Sequence, residues 1–402
     1  MSTIAERVKH FNTGRNPEIL KIKYKAMRSS AFVFYRGSCH LFYEAIPPKS
    51  FFNQAPKSWL CGDLHLENLG CYKADNRAIY FDINDFDESA LAPCLFDVAR
   101  LLTSIMLAAS DMLEIEAETA EQLCKRFLKV YAQTLEQGTA RFMEKQIAHG
   151  VLKTFLNDIQ TRKRKDFINK RTEKINNKRK LLVKYKEISE ISEAQKQQII
   201  DTIDAWAGNQ PNPEFYKVLD VAHRIAGTGS LGLERYQLLI KGHGKGEHYL
   251  LDMKIANPSC LNSILKLKQP VYNNEAERII QVQERMQIFP QALLNAIQFN
   301  GQWFLLKELQ PSQDKIDLTV CKGDVEKINL VIETFAAIVA WDQLRSSGRQ
   351  GSATADKLIS FAGLFPEWSE EVMRYSVDDY TQQVQKDYQA YCAAYDTGYF
   401  ND

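Results

Sequence analysis

The chain has 402 residues, enough for two or three domains, and its composition is 45% hydrophobic and 25% charged. Both fractions are typical of a folded globular protein and exclude a wholly disordered or fibrous chain. Lysine and arginine number 51 against 50 aspartates and glutamates. The net charge of +1 therefore argues against nucleic-acid binding through bulk positive charge.

Two further features of the sequence concern the cellular location of the protein. The first residues are polar and charged, which predicts no secretory signal, and no apolar run is long enough to predict a transmembrane helix. The eight cysteines form no C-x-x-C pair and no spacing typical of a zinc site or a disulfide framework. We therefore expect a cytoplasmic protein whose cysteines are free thiols.

The first half of the chain is predicted to be mainly helical, with one interruption. Residues 1–55 are predicted to be helical and then irregular. Residues 57–87 instead predict a loop, a hairpin with its turn at 73–76, and a second, acidic loop. Asp97 begins an apolar pattern at helical spacing, and 112–207 is mostly helical and rich in charge.

The positive charge is concentrated in one segment, residues 162–187, which holds twelve lysines and arginines against three acids. The segment lacks glycine and proline, and apolar residues recur at 168, 175 and 182. This spacing predicts a long helix with a narrow apolar stripe. The simplest interpretation is a solvated helix at one edge of the protein, and the alternative is a platform for an anionic partner.

The second half changes character after the Gly- and Pro-containing stretch 208–213, which predicts a linker. Strands are then predicted at 218–226, 236–241 and 249–256. They are followed by a helix at 274–288, a strand at 301–309 and a helical region at 324–402.

A glycine-rich motif lies between the first two of these strands. Gly227, Gly229 and Gly232 follow the G-x-G-x-x-G pattern, with Ser230 inside it. Glycines allow a backbone to approach a phosphate closely and to present its N–H groups. A dinucleotide-binding loop should open a helix, whereas here a strand, a turn and a second strand bearing Lys254 follow. That order is typical of the protein-kinase loop, whose lysine pairs with nucleotide phosphates.

Two acidic motifs complete the candidate site. Asp63 and Asn68 have the D-x-x-x-x-N spacing of a kinase catalytic loop. One hairpin later, Asp85 stands where a metal-binding carboxylate is expected, with Asp82 as the competing candidate. We expect these oxygens to hold Mg²⁺ against the phosphates of ATP. Asp82 and Asp87 are also the alternatives to Asp63 as the catalytic carboxylate.

The motifs resemble known families. GDLHLEN, FDINDFDES and FDVARLL are similar to the aminoglycoside-phosphotransferase branch of the kinase-like superfamily. Over about residues 20–395, the chain more closely resembles the bacterial domain-of-unknown-function 2252 family. The matching segments, in order, are AFVFYRG (31–37), GDLHLENLG (62–70), FDINDFDE (81–88), AGTGSLG (226–232), LLDMKIANPS (250–259) and KELQP (307–311).

The resemblance implies an α+β, protein-kinase-like fold of two lobes with additional helices, which uses ATP and Mg²⁺. It also implies a role for individual residues. Asp63 would be the proton acceptor, Asn68 and Asp85 would be the metal ligands, and Asp97 would brace the catalytic loop. Lys254 would pair with the phosphates, and its carboxylate partner would be Glu277, or else Glu275 or Glu284. The loop that covers the phosphates would be formed by Gly227, Gly229 and Gly232. Cys61 and Glu234 depart from the kinase pattern, and His65 is predicted to face either phosphate or water.

The order of the motifs is reversed relative to an ordinary kinase, because the glycine-rich loop follows the catalytic loop by about 160 residues. We interpret this order as a circular permutation. Residues 1–207 would form the core of the large lobe, with a basic helical insert at 160–190. Residues 208–322 would form the nucleotide-binding small lobe, and 323–402 the helical remainder of the large lobe.

The sequence therefore predicts an enzyme, a kinase-like phosphotransferase that transfers phosphate from ATP to a hydroxyl group, with a small molecule as the expected acceptor. Two alternatives remain open. One is a nucleotidyl transferase that transfers AMP on the same fold. The other is an inactive nucleotide-binding scaffold that acts through the basic segment.

Overall fold

The structure is a computed structural model that describes residues 2–47, 49–183, 188–244, 246–310 and 314–401. It consists of α-helices and small antiparallel sheets. The helices are α1 (Ile4–Phe11), α2 (Pro17–Met27), α3 (Ala31–Gly37), α4 (Cys39–Ala45), α5 (Leu95–Ala108), α6 (Ala117–Glu136), α7 (Gly150–Thr161), α8 (Arg164–Arg171), α9 (Glu193–Ala207), α10 (Glu275–Met286), α11 (Val325–Arg345), α12 (Ala355–Ala362), α13 (Phe365–Met373) and α14 (Tyr380–Asp396). The strands are β1 (Lys57–Leu60), β2 (Leu69–Lys73), β3 (Ile79–Ile83), β4 (Ala90–Pro93), β5 (Thr172–Ile175), β6 (Lys178–Leu181), β7 (Ile188–Ser189), β8 (Val218–Arg224), β9 (Arg235–Ile240), β10 (Tyr249–Ile255), β11 (Asn295–Phe299), β12 (Gln302–Leu309) and β13 (Asp314–Lys315).

The N-terminal helices begin at side chains that cap them. Thr3 and Glu6 form a reciprocal capping box at α1, and Asn16 caps α2, whose first residue is Pro17. Such residues satisfy the free N–H groups of a first helical turn. These caps fix where α1 and α2 start and therefore how both helices approach the glycine-rich loop.

The largest core joins the two ends of the chain. Helix α5 is buried on nearly all sides and packs against α6 and α3. The C-terminal helices α11 and α14 pack on α6 and on α1, respectively. Val8 near the start and Tyr391 near the end are both fully buried in this core. Helix α1 therefore lies beside the last helix, and Arg28 at the end of α2 also forms an ion pair of 2.9 Å with Asp396 of α14.

The main sheet has six strands in the order β11-β12-β10-β9-β8-β7, and its neighbours pair antiparallel. The predicted strand–loop–strand arrangement around the glycine-rich motif is thereby confirmed, because β8 and β9 pair on either side of it. Helix α9 packs on β8, and its Ile199 and Ile203 share one core with the sheet. The sheet thus includes residues that precede the proposed lobe boundary at residue 208.

The prediction of one long helix through the basic segment 162–187 is wrong. Helix α8 ends at Arg171, and β5 and β6 form an antiparallel hairpin. The hairpin turns at Asn176 and Asn177, which both have positive φ, at 49° and 61°. Two-residue hairpin turns require this conformation, and asparagine tolerates it better than most residues. The turn therefore overrides the weak heptad pattern; residues 184–187 lie outside the described part of the chain.

The predicted hairpin before the acidic loop is confirmed. Strands β2 and β3 pair antiparallel, and β13 adds to the free edge of β2. Strands β1 and β4 form a second small sheet that brackets both loops of the candidate site. None of the helices in the described residues is long and apolar enough to cross a membrane.

Candidate active site

The loop that contains Asp63 is fixed by backbone geometry and by one carboxylate. Gly62 has φ of +81°, and a Cβ built on it would lie 2.0 Å from the carbonyl oxygen of Glu88, so only glycine fits. Asp97, in the first turn of α5, accepts hydrogen bonds from the N–H groups of Cys61 (2.9 Å) and Gly62 (3.1 Å). Burial raises the pKa of Asp97 to about 6, although these N–H groups act to lower it. Asp97 thus braces the loop, as the resemblance implies.

The carboxylate of Asp63 faces a cleft and is ion-paired with Arg100. Arg100 is fully buried, and its guanidinium carbon lies 4.5 Å from the ring centre of Tyr35 and 5.1 Å from that of Phe42. Burial raises the pKa of Asp63, and the charge of Arg100 opposes this shift. The carboxylate is therefore held in place at the floor of the cleft and is a stronger base than an exposed aspartate.

Asn68 links the two acidic motifs. Its side-chain N–H₂ group donates to the carbonyl oxygens of Asp63 (3.1 Å) and Asp85 (3.3 Å). Its side-chain oxygen accepts the N–H of Asp85 at 2.9 Å. Asn68 is 4% exposed, and in this structure its amide positions the neighbouring loops. The carboxylate of Asp85, at 55% exposure, is the more accessible candidate for a metal ligand.

Lys254 enters the same region from β10. It forms an ion pair with Asp87, and its Nζ lies 3.9 Å from a carboxylate oxygen of Asp85. Burial lowers the pKa of Lys254, but Asp85 and Asp87 outweigh burial and raise it above its ordinary value. The lysine is therefore a buried cation whose charge is matched by two carboxylates.

None of the ion pairs in the described residues joins Lys254 to a carboxylate of the following helix, α10, where its partner was predicted. Glu277 accepts hydrogen bonds from the N–H of Asn273 (3.0 Å) and the side chain of Gln281 (2.7 Å) at the start of α10. Glu275 pairs with Arg278, and Glu284 is exposed. The prediction of Glu277 is therefore corrected to Asp87, because the helix presents Glu277 to its own first turns.

Asp82 does not share the site either. Its side chain is buried on β3 and is hydrogen-bonded to Asp342 of α11, with Arg345 nearby. In a strand, successive side chains point to opposite faces, and Asp82 faces the helical core. The prediction of Asp82 as a metal ligand is therefore corrected, since Asp85 lies beyond the end of the strand, where the chain turns into the cleft.

The glycine-rich loop closes over these residues and leaves a narrow pocket of about 90 Å³. In the described part of the chain, the N–H groups of Thr228 and Gly229 donate to no backbone or side-chain acceptor. Gly232 lies just outside, on the wall of a larger open groove of about 1880 Å³ that adjoins the pocket. The residues that line the pocket include 227–230, Asp63, Asp85, Asp87, Glu88, Arg15 and Arg36.

The chain matches the family described as "Uncharacterized protein conserved in bacteria (DUF2252)" over residues 15–394. It belongs to the DUF2252 family. The match covers nearly the whole chain and includes every residue of the site. No curated protein and no solved structure matches the chain.

The donor set of this DUF2252 protein fits a magnesium ion that shares its ligands with a substrate. The described residues contain no preformed group of three or more histidine, cysteine, aspartate or glutamate side chains that could hold a metal. Mg²⁺ is usually bound through one or two carboxylates together with phosphate oxygens and water. The exposed carboxylate of Asp85 provides such a ligand, with Asp87 beside it.

Sequence reasoning missed Arg100 and Arg278 of the DUF2252 site and did not recognise Asp87 as the partner of Lys254. Arg100 lies three positions after Asp97, so a helical projection of FDVARLL would have placed both on the face toward the loop. Asp87 stands two residues after Asp85 and was visible in the motif as an additional carboxylate. Arg278 of α10 donates to the carbonyl oxygens of Asp87 (2.8 Å) and Asn257 (3.0 Å), and no local pattern predicts this contact.

Proposed function

We propose that this protein is an ATP- and Mg²⁺-dependent phosphotransferase that acts on a hydroxyl-bearing acceptor. One observation carries the proposal: the catalytic loop, the acidic loop, the lysine strand and the glycine-rich loop meet at one cleft. These segments begin at residues 62, 85, 249 and 227, far apart in the chain. Chance motifs would have no reason to converge.

The sheet supports a kinase-like small lobe. The glycine-rich loop joins β8 to β9, Lys254 lies on the next strand, β10, and α10 follows it. This order of loop, lysine strand and helix is that of protein kinases. The adjacent first and last helices support the circular permutation, because neighbouring termini allow a chain to be rejoined and opened elsewhere.

The chemistry follows from what each group can do. The carboxylate of Asp63 orients the acceptor hydroxyl and accepts its proton, for which its raised pKa suits it. Lys254 and the N–H groups of Thr228 and Gly229 neutralise and orient the phosphates of ATP. Asp85 would hold Mg²⁺, which neutralises charge on the transferred phosphate. Positioning and charge neutralisation then supply most of the catalysis.

A second candidate, nucleotidyl transfer, is favoured by one specific observation. On the sheet beside Lys254, Asp252 is fully buried and is ion-paired with Arg224 (2.9 Å) and Arg235. Lys307 on β12 lies opposite Asp252 in the register. A buried surface so rich in cations suits phosphates better than an adenine ring. ATP bound in the reverse orientation would place its α-phosphate toward the acceptor.

Two measurements on the wild-type protein test the proposal. A thermal-shift panel of ATP, GTP, ADP, AMP and adenosine, with and without Mg²⁺, should show the largest stabilisation with a nucleoside triphosphate and Mg²⁺. Consumption of ATP with pooled metabolites as acceptors should yield ADP. Pyrophosphate as the product would select nucleotidyl transfer, and tight binding without consumption would favour the scaffold.

A further inference from the structure

The narrow pocket is lined by groups of opposite charge, and we call its acidic side the inner half and its basic side the outer half. The inner half presents the carboxylates of Asp63, Asp85 and Asp87, which suit a metal ion, and that of Glu88, which accepts the N–H of Cys260 at 2.6 Å. The outer half is formed by the N-terminal helices and presents Arg15 and Arg36. In the proposed reaction, Asp63, Asp85 and Asp87 interact with Arg100, Mg²⁺ and Lys254. The same reaction gives no role to the two arginines of the outer half.

Arg15 and a buried lysine behind it have no carboxylate partner among the described ion pairs. Arg15 donates to the carbonyl oxygens of Gly229 (2.6 Å) and Leu231 (3.1 Å). Lys23 is fully buried and donates to Gly229 (3.0 Å) and to the side chain of Asn12 (2.7 Å). Burial and then the charge of Arg15 lower the pKa of Lys23 well below its ordinary value. Both groups thus donate to neutral oxygens, and the nearby carboxylate of Glu88 acts on both without forming an ion pair with either.

Arg36 is paired, but its partner is shared. Glu67 forms ion pairs with both Arg36 and Lys315, so one carboxylate serves two cations. The Nε of Arg36 also lies 3.3 Å from His65 Nε2, which brings the guanidinium beside the catalytic loop. Burial and the charge of Arg36 lower the pKa of His65 well below its ordinary value, so this imidazole is neutral. The outer half therefore carries an excess of positive charge.

Cations withdrawn from water without a matching anion are costly and are commonly kept for a ligand. The free N–H groups of the loop and Lys254 already serve the phosphates of ATP. Arg15 lines both the pocket that contains Asp63 and the adjoining open groove. An anion held by Arg15 and Arg36 would therefore belong to the second substrate.

We propose that the acceptor is an anionic hydroxyl compound whose phosphate or carboxylate group is bound by Arg15 and Arg36. This inference rests on the proposed phosphotransferase function. It narrows the acceptor from any hydroxyl compound to hydroxy acids and phosphorylated alcohols or sugars, because guanidinium groups bind both anions through paired, charge-assisted hydrogen bonds.

The test uses the full-length protein and a metabolite extract depleted of nucleotides. The extract is separated on an anion-exchange resin, and each fraction is added to the protein with MgATP. The retained, anionic fraction should stimulate ATP consumption. Stimulation by the unretained fraction, or by neither fraction while MgATP still stabilises the protein, would overturn the inference. Absence of MgATP binding would instead overturn the proposed function and this inference with it.

Variants then locate the site. Arg36→Gln should raise the half-saturating amount of the retained fraction about tenfold or more, and Arg36→Lys should restore part of the loss. Arg28→Gln is the matched control, since Arg28 is exposed and pairs with Asp396 outside the pocket. An unchanged half-saturation in Arg36→Gln would contradict the assignment. Treatment of the retained fraction with a phosphatase should abolish stimulation by a phosphate and spare that by a carboxylate.

Discussion

The ammonium group of Lys254 on β10 is ion-paired with the carboxylate of Asp87, which lies 167 positions earlier in the chain. This contact joins the main sheet to the acidic loop and closes the cleft between them. Arg278 supports the same loop by donating to the carbonyl oxygen of Asp87 at 2.8 Å. The pair therefore sets the distance between β10 and the acidic loop that carries Asp85.

Replacement of Lys254 should weaken nucleotide binding. Lys254→Ala removes the buried cation that the proposal pairs with the phosphates, so most of the thermal stabilisation by MgATP should disappear. Lys241→Ala is the matched control, because Lys241 follows the neighbouring strand and forms only an exposed ion pair with Glu214. Equal MgATP-dependent shifts in wild type and Lys254→Ala would show that Lys254 does not bind phosphate.

Substitutions of Asp63 and Asp85 should impair different steps, turnover and nucleotide binding respectively. Asp63→Asn keeps the shape but removes the base, so MgATP should still bind while the turnover falls by about 10²–10⁴-fold. Asp85→Asn removes a charged ligand, so nucleotide binding itself should lose its dependence on Mg²⁺. Parallel binding and ATP-consumption assays distinguish the two. Unchanged consumption in Asp63→Asn would transfer the catalytic role to Asp87.

Gly62 should tolerate no side chain. Gly62→Ala would place a Cβ 2.0 Å from the carbonyl oxygen of Glu88, whereas Gly14→Ala meets nothing within 4 Å. Both glycines have φ near +80°, so the two variants share the same backbone strain of about 1–2 kcal/mol. Urea unfolding should show a clearly larger loss of stability in Gly62→Ala. Equal losses would mean that the loop shifts to accept the methyl group.

The buried pair of Asp82 and Asp342 should make stability depend on pH. Burial and the charge of Asp82 raise the pKa of Asp342 well above its ordinary value in the folded protein. The folded state therefore holds a proton that the unfolded state releases, and stability is lost as the pH rises above the unfolded pKa. Asp342→Asn should remove this loss and gain stability relative to wild type by at most about 1.4 kcal/mol per pH unit.

Urea unfolding of both proteins between pH 4 and pH 8 measures this difference. The gain should be smallest at pH 4 and should increase with pH. Asp396→Asn is the control with the opposite sign, because Arg28 holds the pKa of Asp396 below its ordinary value. A gain for Asp342→Asn that does not change with pH would show that the pair is ionised in the folded protein.

Local sequence signals were sufficient for much of the fold. The sequence correctly predicted the hairpin that turns at residues 73–76 and the strand–loop–strand order at Gly227. It also correctly predicted the helix after Lys254. These features depend on turn residues and on side-chain periodicity within a few positions. The basic segment shows the limit of this approach, since two adjacent asparagines outweighed an apolar repeat of seven residues.

The sequence alone determined which segments form the candidate site, because Asp63, Asp85 and Lys254 lie within short motifs whose spacing is local. Only the tertiary structure decided which side chains pair. Glu277 and Arg278 differ by about 100° around α10, so the docking of that helix selects which of them faces the cleft. Such choices depend on segments that are distant in the chain, and no local pattern records them.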